Sequence, residues 1–488
     1  MPSNQPVGSP DTRAKANRIL GQMDRTVLQS IIKFTIGIAL GAAVYLIPSF
    51  EGLDQAAHAT LAILVSAAFL WISEAIPAFA VAVLVIAAEI AILGAPDGVW
   101  QPEGIDPAKK WTTFVSSWSS SLMWLFLGGF VLAHAATKTK LDQWMAGHIL
   151  GVCGKSPAML LAGAMAVTFV FSMFMSNTAT AAMMITVAAP MMNRVPKGHP
   201  FIKAFLLSIP IAANLGGIGT IIGTPPNAIA VKALSEDVRP DFLGWMKLGL
   251  PPALALATIA FFMLLFMSKK GSNGEKLNLS GGVATDDTPM TGKEKAQRWF
   301  VIAIFTTTVG MWMTQKLHGY SPSVVSFLPI AAFAVTGVLT SKDMRELPWD
   351  VLLLLAGGMS LGVAVEKTGL AQWIGEQVPG SWPLLGLIIA MALLGVIMSN
   401  LMSNTATASI LLPITMGLVA GQAAENQILV GVPLAIACSC AMCLPISTPP
   451  NAVTFATGKI KASDFMVPGL IMSVLGPAIA ILWIQLVG

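Results

Sequence analysis

Long apolar stretches alternate with short polar segments along almost the whole chain. A helix of about 20 apolar residues crosses the hydrocarbon core of a bilayer, and most of the stretches approach or exceed that length. They fall near residues 31–49, 57–73, 77–95, 115–136, 156–195, 200–234, 242–268, 298–316, 321–340, 349–366, 383–418, 427–457 and 464–487. This pattern predicts an all-α polytopic membrane protein.

Two of the stretches are interrupted by the same polar tripeptide. Ser-Asn-Thr stands at 176–178 within 156–195, and again at 403–405 within 383–418. Basic residues lie both before and after the first stretch: Lys138, Lys140, Lys155, Arg194, Lys197 and Lys203. Because positive charge marks the cytoplasmic side, both ends of the stretch belong on that side. We therefore expect two re-entrant hairpins, each with its tip inside the membrane.

With two hairpins, the remaining stretches give eleven transmembrane helices. Most of the 28 Lys and Arg then fall on one side, together with a cytoplasmic tail at 1–30 and a polar linker at 269–297. The exceptions are Lys109, Lys110, Lys232, Arg239, Lys247, Lys316 and Lys367. The charge distribution predicts a cytoplasmic N-terminus and an external C-terminus.

The segment 31–268 consists of a first span and one repeat, and the segment 298–488 is a second copy of that repeat. Ser-Asn-Thr-Ala-Thr-Ala occurs at 176–181 and 403–408, and Thr-Pro-Pro-Asn-Ala at 224–228 and 448–452. Gly-Gly and Leu-x-Gln-Trp recur in the same order at a nearly constant offset. Each repeat has five spans, an odd number, so the second is inverted relative to the first. Inverted repeats with broken helices, here 200–234 and 427–457, are typical of secondary transporters.

The hairpin tips are candidate anion sites. A helix that begins inside the membrane presents free backbone N–H groups and a positive dipole end. Hydroxyl and amide donors reinforce it in both repeats: Ser176, Asn177 and Thr178 in the first, Ser403, Asn404 and Thr405 in the second. Two symmetric anion sites favour a ligand with two anionic ends. The alternative, small polar residues that join helices, explains a duplicated hexapeptide less well.

The Thr-Pro-Pro-Asn segments are candidate cation sites. Two prolines break a helix and expose carbonyl oxygens suited to Na⁺. Ser172 and Ser399 each stand one helical turn before a tip. No Asp, Glu, Lys, Arg or His lies within a few turns of either Ser-Asn-Thr tip, which disfavours a proton relay. An anion bound without fixed cations requires helix ends or a bound cation to neutralise it, and this favours Na⁺ coupling.

The composition narrows the function classes. Only 11% of the residues are charged, against roughly a quarter in soluble domains, and the net charge is +4. A soluble enzyme and a nucleic-acid-binding protein are disfavoured. A membrane enzyme would require a nucleophile with its base, or a metal site, beside the broken helices, and the sequence offers neither. A channel does not require two symmetric anion sites.

The paired motifs resemble those of the divalent anion–sodium symporter family, over about residues 30–488. The resemblance implies a homodimer in which each chain has a fixed scaffold and a moving transport domain. It implies one Na⁺ site around Ser172, Ser176, Asn177 and Gly223, and a second around Ser399, Met402, Asn404 and Ser447. Thr224, Thr448 and Pro449 would complete the carboxylate pocket.

The function expected on these grounds is Na⁺-coupled symport of C4-dicarboxylates such as succinate, malate and fumarate. The expected mechanism is of the elevator type, in a bacterial inner membrane. Na⁺ is the co-transported ion, and no organic cofactor, enzymatic activity or nucleic-acid partner is expected. A dicarboxylate exchanger and a Na⁺-coupled sulfate or tricarboxylate carrier on the same fold remain alternatives.

Overall fold

The computed structural model describes residues 10–48, 50–153, 156–196, 199–269, 290–377, 382–420 and 422–487, and their side chains from residue 27 onward. All regular elements in these ranges are helical. The first half contains α1 (Pro10–Leu46), α2 (Gln55–Ser73), α3 (Ala78–Ala88), α4 (Thr112–Val115), α5 (Ser121–Lys138), α6 (Leu141–Val152), α7 (Pro157–Ser172), α8 (Asn177–Met192), α9 (Pro200–Ile218), α10 (Pro225–Ala233) and α11 (Phe242–Lys269). A π-helical turn, Glu89–Leu93, continues α3.

The second half follows the same order. It contains α12 (Gly292–Met313), α13 (Gln315–His318), α14 (Pro322–Val325), α15 (Phe327–Val335), α16 (Ser341–Arg345), α17 (Trp349–Lys367), α18 (Leu370–Gln377), α19 (Leu384–Leu401), α20 (Asn404–Leu418), α21 (Ala424–Ser439), α22 (Pro449–Phe455) and α23 (Ala462–Val487). Helices α5 to α11 of the first half thus correspond to α17 to α23 of the second.

Eight helical segments of the described residues are long and apolar enough to cross a membrane. They are Val27–Leu46, Gln55–Ser73, Pro107–Lys138, Pro200–Ile218, Phe242–Lys269, Trp349–Lys367, Leu384–Leu401 and Ala462–Val487. Four shorter apolar helices accompany them: Ala78–Leu93, Pro157–Ser172, Pro322–Val335 and Ala424–Ser439. The all-helical polytopic class is confirmed, while the number of spans stays a prediction.

The interrupted stretches form pairs of helices. Within 156–195 the chain folds into α7 and α8, and within 383–418 into α19 and α20. The first Thr-Pro-Pro-Asn separates α9 from α10, and the second separates α21 from α22, since each proline pair occupies the first helical turn, where no donor is needed. Re-entrant placement in a bilayer and inversion of the repeats stay predictions.

Some boundaries differ from expectation. Helix α12 begins at Gly292, inside the predicted linker 269–297, because Thr291 and Glu294 form a capping box there. Most of that linker, residues 270–289, lies outside the described residues, as does the start of the predicted tail 1–30, residues 1–9. The apolar pattern also missed α6 and α18, which are too short to span a membrane and carry the repeated Leu-x-Gln-Trp.

The two repeats interlock. Helix α22 packs against α8 and α9 of the first repeat, and α10 packs against α20 and α21 of the second. Each broken helix therefore contacts the hairpin of the opposite half. As a result, the two tips and the two breaks belong to one packed unit.

Helix α17 connects this unit to the rest of the molecule. Gly357 packs on the backbone of Ala82 in α3, and a Cβ at Gly358 would collide with Ser409 of α20. Helix α17 also packs against α10, whereas α5, its counterpart, packs against neither α8 nor α22 to a similar extent. The two halves are thus related in sequence but differ in packing.

Candidate functional site

The first tip joins α7 to α8 and brings two predicted residues, Ser172 and Asn177, together. Ser172 Oγ is 2.6 Å from Asn177 Oδ1 and 2.7 Å from the carbonyl oxygen of Ala213 in α9. A hydroxyl has one proton, so Ser172 can donate to only one of these oxygens at a time. Ser172 is fully buried, Asn177 and Thr178 are half-buried, and Ser176 is exposed at the N-cap of α8.

The first break lies directly against this tip. A Cβ added to Gly217 would stand 2.8 Å from Asn177 Oδ1 and 3.1 Å from the carbonyl oxygen of Gly223. Asn227 holds the unwound segment by donating from Nδ2 to the carbonyls of Gly217, at 2.9 Å, and Thr220, at 2.7 Å. The absence of a side chain at Gly217 therefore lets the tip approach the carbonyls of the unwound segment.

The second tip repeats the first. Ser399 Oγ is 2.7 Å from Asn404 Oδ1 and 2.8 Å from the carbonyl oxygen of Cys438. Ser403 caps α20, accepting from the backbone N–H of Ala406 at 3.2 Å. Ser403 is exposed and Asn404 half-buried, as their counterparts in the first repeat are. Thr405 and Met402 are buried.

The second break is held by Asn451, the counterpart of Asn227. Its Nδ2 donates to the carbonyls of Met442, at 3.1 Å, and Leu444, at 2.9 Å. Thr448 Oγ1 accepts from Asn214 Nδ2 of α9 at 3.1 Å, and this bond links the two repeats. Thr224 is buried at the corresponding place in the first break, while Pro449 is exposed.

Asn400, near the end of α19, contacts the second break and was missed by sequence reasoning. Its Oδ1 accepts from the backbone N–H of Cys443 at 2.9 Å, and its Nδ2 donates to Val396 O at 2.9 Å and Ser473 Oγ at 3.2 Å. Ser447 Oγ donates to Asn400 O at 3.1 Å. The Ser447 side chain is thus engaged within the loop. The residue that corresponds to Asn400 in the first repeat is Met173, so a comparison of the two repeats does not single out Asn400.

The groups around both tips suit an alkali cation. They are hydroxyl, amide and backbone carbonyl oxygens without a fixed charge, the set that broken helices offer to Na⁺. Asn214, Asn227 and Asn451 each have a buried Oδ1 that accepts no hydrogen bond among the described residues. Such oxygens favour a positive partner. The two tips are connected through the α8–α22 and α10–α20 contacts of the interlocked unit.

Comparison with known proteins identifies the family. The model of the sodium:sulfate symporter transmembrane region matches residues 28–488. A sodium-dependent dicarboxylate transporter of Staphylococcus saprophyticus, SdcS, is 29% identical over 487 residues, covering 92% of this chain and 90% of its own. SdcS of Staphylococcus aureus strain bovine RF122 is 30% identical with the same coverage.

A solved structure supports the fold. MtrF of Neisseria gonorrhoeae, described as illuminating a class of antimetabolite efflux pumps, superposes with a TM-score of 0.51 at 13% identity. The match covers 90% of this chain and 96% of MtrF. The resemblance drawn from the paired motifs is confirmed by the family match, and an enzymatic function is not supported. The chain belongs to the sodium:sulfate symporter family, and it is a sodium-coupled membrane transporter.

Proposed function

We propose that the protein carries C4-dicarboxylates such as succinate, malate and fumarate into the cell by symport with Na⁺. The main support is the pair of tip-and-break units, each built from the same uncharged groups. Helices α8 and α20, of 16 and 15 residues, begin at the two tips, and a helix N-terminus attracts an anionic group. A ligand with one carboxylate for each tip uses both. The names of the Staphylococcus relatives agree with this substrate class.

Each residue has a role in this proposal. Ser176, Asn177 and Thr178 bind one carboxylate and Ser403, Asn404 and Thr405 the other, with Thr224, Thr448 and Pro449 closing the pocket. One Na⁺ binds among Ser172, Ser176, Asn177 and Gly223, and a second among Ser399, Met402, Asn404 and Ser447. Because Asn177 and Asn404 belong to both sets, Na⁺ binding fixes the amides that receive the anion.

We propose an elevator mechanism on the basis of the packing difference between the halves. Helices α7 to α11 and α19 to α23 form the transport domain, and the helices that precede each hairpin form the scaffold. Scaffold helix α17 packs closely on α20 and α10, while its counterpart α5 lacks equally extensive contacts with α8 and α22. A transport domain displaced toward one side of the scaffold produces this asymmetry, and exchange of the two packing modes would move the site across the membrane.

The remaining parts of the proposal concern assembly and placement. The protein is a homodimer in the bacterial inner membrane, with a cytoplasmic N-terminus and an external C-terminus. Size measurement of the protein in lipid nanodiscs tests the dimer. Labelling of single cysteines introduced near residues 290 and 487 of a variant lacking the native cysteines tests the orientation.

The decisive experiment for the function is uptake of labelled succinate into proteoliposomes. We expect accumulation under an inward Na⁺ gradient and none under an equal K⁺ gradient. Uptake that is independent of Na⁺ but increases with internal dicarboxylate would show that the protein is an exchanger and not a symporter. If sulfate or citrate competes more strongly than malate, the substrate is one of those anions and not a C4-dicarboxylate. Sulfate is named in the family description.

A further inference from the structure

A carboxylic acid lies inside the scaffold, away from the site described above. Glu89 is fully buried in the π-helical turn that continues α3, within an apolar helix that runs over Ala78–Leu93. The turn is closed by a bond from the backbone N–H of Gly94 to the carbonyl of Glu89, at 2.8 Å. Single π-helical turns occur often at functional positions, and an acidic residue within a membrane helix is costly unless it has a role.

The hydrogen bonds around Glu89 specify where a proton must be. Glu89 Oε2 is hydrogen-bonded to Ser360 Oγ of α17, and Ser360 Oγ lies 2.8 Å from the carbonyl oxygen of Phe114 in α4. Ser360 has one proton and two acceptor oxygens beside it. If Ser360 donates to Phe114, the bond to Glu89 forms only when the carboxyl group itself carries a proton. Each of the two hydrogen bonds, from Glu89 to Ser360 and from Ser360 to Phe114, then has its own proton.

The ionised form lacks the partners that it would require. Oε1 of Glu89 accepts no hydrogen bond among the described residues. The helices packed against α3 and its π-helical turn, namely α2 and α17, carry His58, Asp350, Glu366 and Lys367, with Glu74 after α2. His58 faces α1, where Nε2 contacts Val44 O at 2.8 Å, and the α17 groups lie near the ends of that helix. Lys110, before α4, donates to Trp100 O at 2.7 Å. A bare carboxylate in this place would be a buried charge without a counter-ion.

The protonated group lies directly behind the surface on which the transport domain packs. Ser360 is two residues after Gly358, where α17 approaches Ser409 of α20 without room for a Cβ. On the other side of α17, Gly357 packs equally closely on Ala82 of α3. Helix α17 is therefore held between α3 and α20. A shift of α17 by a fraction of an ångström would alter the contact with α20.

We propose that Glu89 binds a resident proton and that, in this form, it is a positioning residue which fixes α17 against the transport domain. The proton is donated from Oε2 to Ser360 Oγ, and the Ser360 proton to Phe114 O. It remains bound throughout transport and is not a coupling ion. Loss of this proton at alkaline pH places a negative charge behind the α17–α20 contact and slows transport.

Infrared spectra of the full-length protein in lipid, compared between neutral and alkaline pH, test the proton directly. We expect the carbonyl stretching band of a protonated carboxyl group at neutral pH in the wild type. It should be absent in Glu89→Gln and present in Glu103→Gln, a control that removes an exposed glutamate from a loop. A wild-type spectrum without the band would overturn the proposal. This readout requires no substrate, so it is independent of whether the dicarboxylate function is correct.

Transport of the protein's substrate tests the positioning role. The amide introduced by Glu89→Gln can donate to Ser360 as the protonated acid does, so this variant should keep its uptake rate within about twofold and lose the alkaline decline. Glu89→Ala lacks the donor and should lose about tenfold or more. Equal loss in both variants would contradict the proposal, as would wild-type uptake by Glu89→Ala. Elution of each variant as a monodisperse species separates these results from misfolding.

Discussion

The two broken helices carry the same Thr-Pro-Pro-Asn but are held by different neighbours. In the first break, Thr220 Oγ1 bonds to the carbonyl of Met173 and accepts from Gly223 N at 3.1 Å. In the second, Asn400 replaces Met173 and ties the loop to both α19 and α23. The first break combines the Thr220 bonds with a close glycine approach at Gly217, and the second has a side-chain network through Asn400.

This difference suggests a division of roles between the half-sites. A loop kept in place by close backbone contacts depends on small side chains, and a loop kept by hydrogen bonds depends on their donors and acceptors. The pairs Asn227 and Asn451, and Ser172 and Ser399, are alike in both halves. We therefore expect substitutions at paired residues to have equal effects, and substitutions at unpaired residues to affect one half-site.

The largest effect is expected at the paired tip residues. Asn177→Ala and Asn404→Ala should each reduce succinate uptake by about 100-fold or more, since each removes a cation ligand and an anion donor together. Initial uptake rates in proteoliposomes measure this. Asn426→Ala, at an amide of α21 that bonds only Gln422 among the described residues, is the matched control. Near-normal uptake by either tip variant would refute the symmetric assignment.

Asn400→Ala should produce the next largest effect. It removes the acceptor of the Cys443 N–H and the amide that donates to Ser473 Oγ, at a cost of about 2 kcal/mol, which corresponds to about thirtyfold. We expect the loss as a weaker apparent affinity for Na⁺. Met173→Ala keeps the backbone carbonyl that Thr220 contacts, so it should change Na⁺ affinity much less. Equal losses in the two variants would mean that the breaks are held in the same way.

Gly217→Ala should weaken Na⁺ binding by about tenfold, because the new Cβ would stand 2.8 Å from Asn177 Oδ1. Ala441 lies seven residues before the second Thr-Pro-Pro-Asn, as Gly217 does before the first, and already carries a Cβ. Ala441→Gly should therefore leave Na⁺ affinity close to normal. Succinate uptake titrated with Na⁺ compares the two variants. If uptake by Gly217→Ala depends on Na⁺ concentration as the wild type does, the first break is not part of the cation site.

The smallest effect is expected at the Gly-Gly pairs. Gly358→Ala introduces a collision with Ser409 and should lower the maximal rate about threefold with little change in Na⁺ affinity. Gly129→Ala meets only the flexible end of Ile222, 3.0 Å away, and should be milder. Maximal uptake rates decide this. A greater loss of the maximal rate in Gly129→Ala than in Gly358→Ala would mean that the transport domain is displaced toward α5 and not toward α17.

The tips and breaks could be predicted from the sequence because they interrupt the apolar runs. The tips and breaks stand out because polar and proline residues divide apolar runs, and their repetition separates them from incidental helix contacts. Asn400 and Glu89 are also polar residues in apolar runs, but neither has a counterpart in the other half. A search restricted to repeated motifs passes over both.

Other features depend on contacts between distant parts of the chain. The packing of α22 on α8 and of α10 on α20 joins segments that are far apart in the sequence. The bond from Asn214 to Thr448, and the engagement of Ser447 by Asn400, follow from the way the helices pack. Hydrophobic periodicity describes each helix alone and does not show which helices pack against each other. The start of α12 at Gly292 could have been recognised from Thr291 and Glu294, a capping box that precedes the apolar run.

The central claim is that two uncharged half-sites bind the two ends of one dianion, and only with Na⁺. Equilibrium binding of labelled succinate to the purified protein, in NaCl and in choline chloride, tests it most directly, with butyrate as a ligand of equal length and one carboxylate. We predict saturable binding of succinate in NaCl, none in choline chloride, and no competition by butyrate. Succinate binding of equal affinity in both salts, or effective competition by butyrate, would contradict the account.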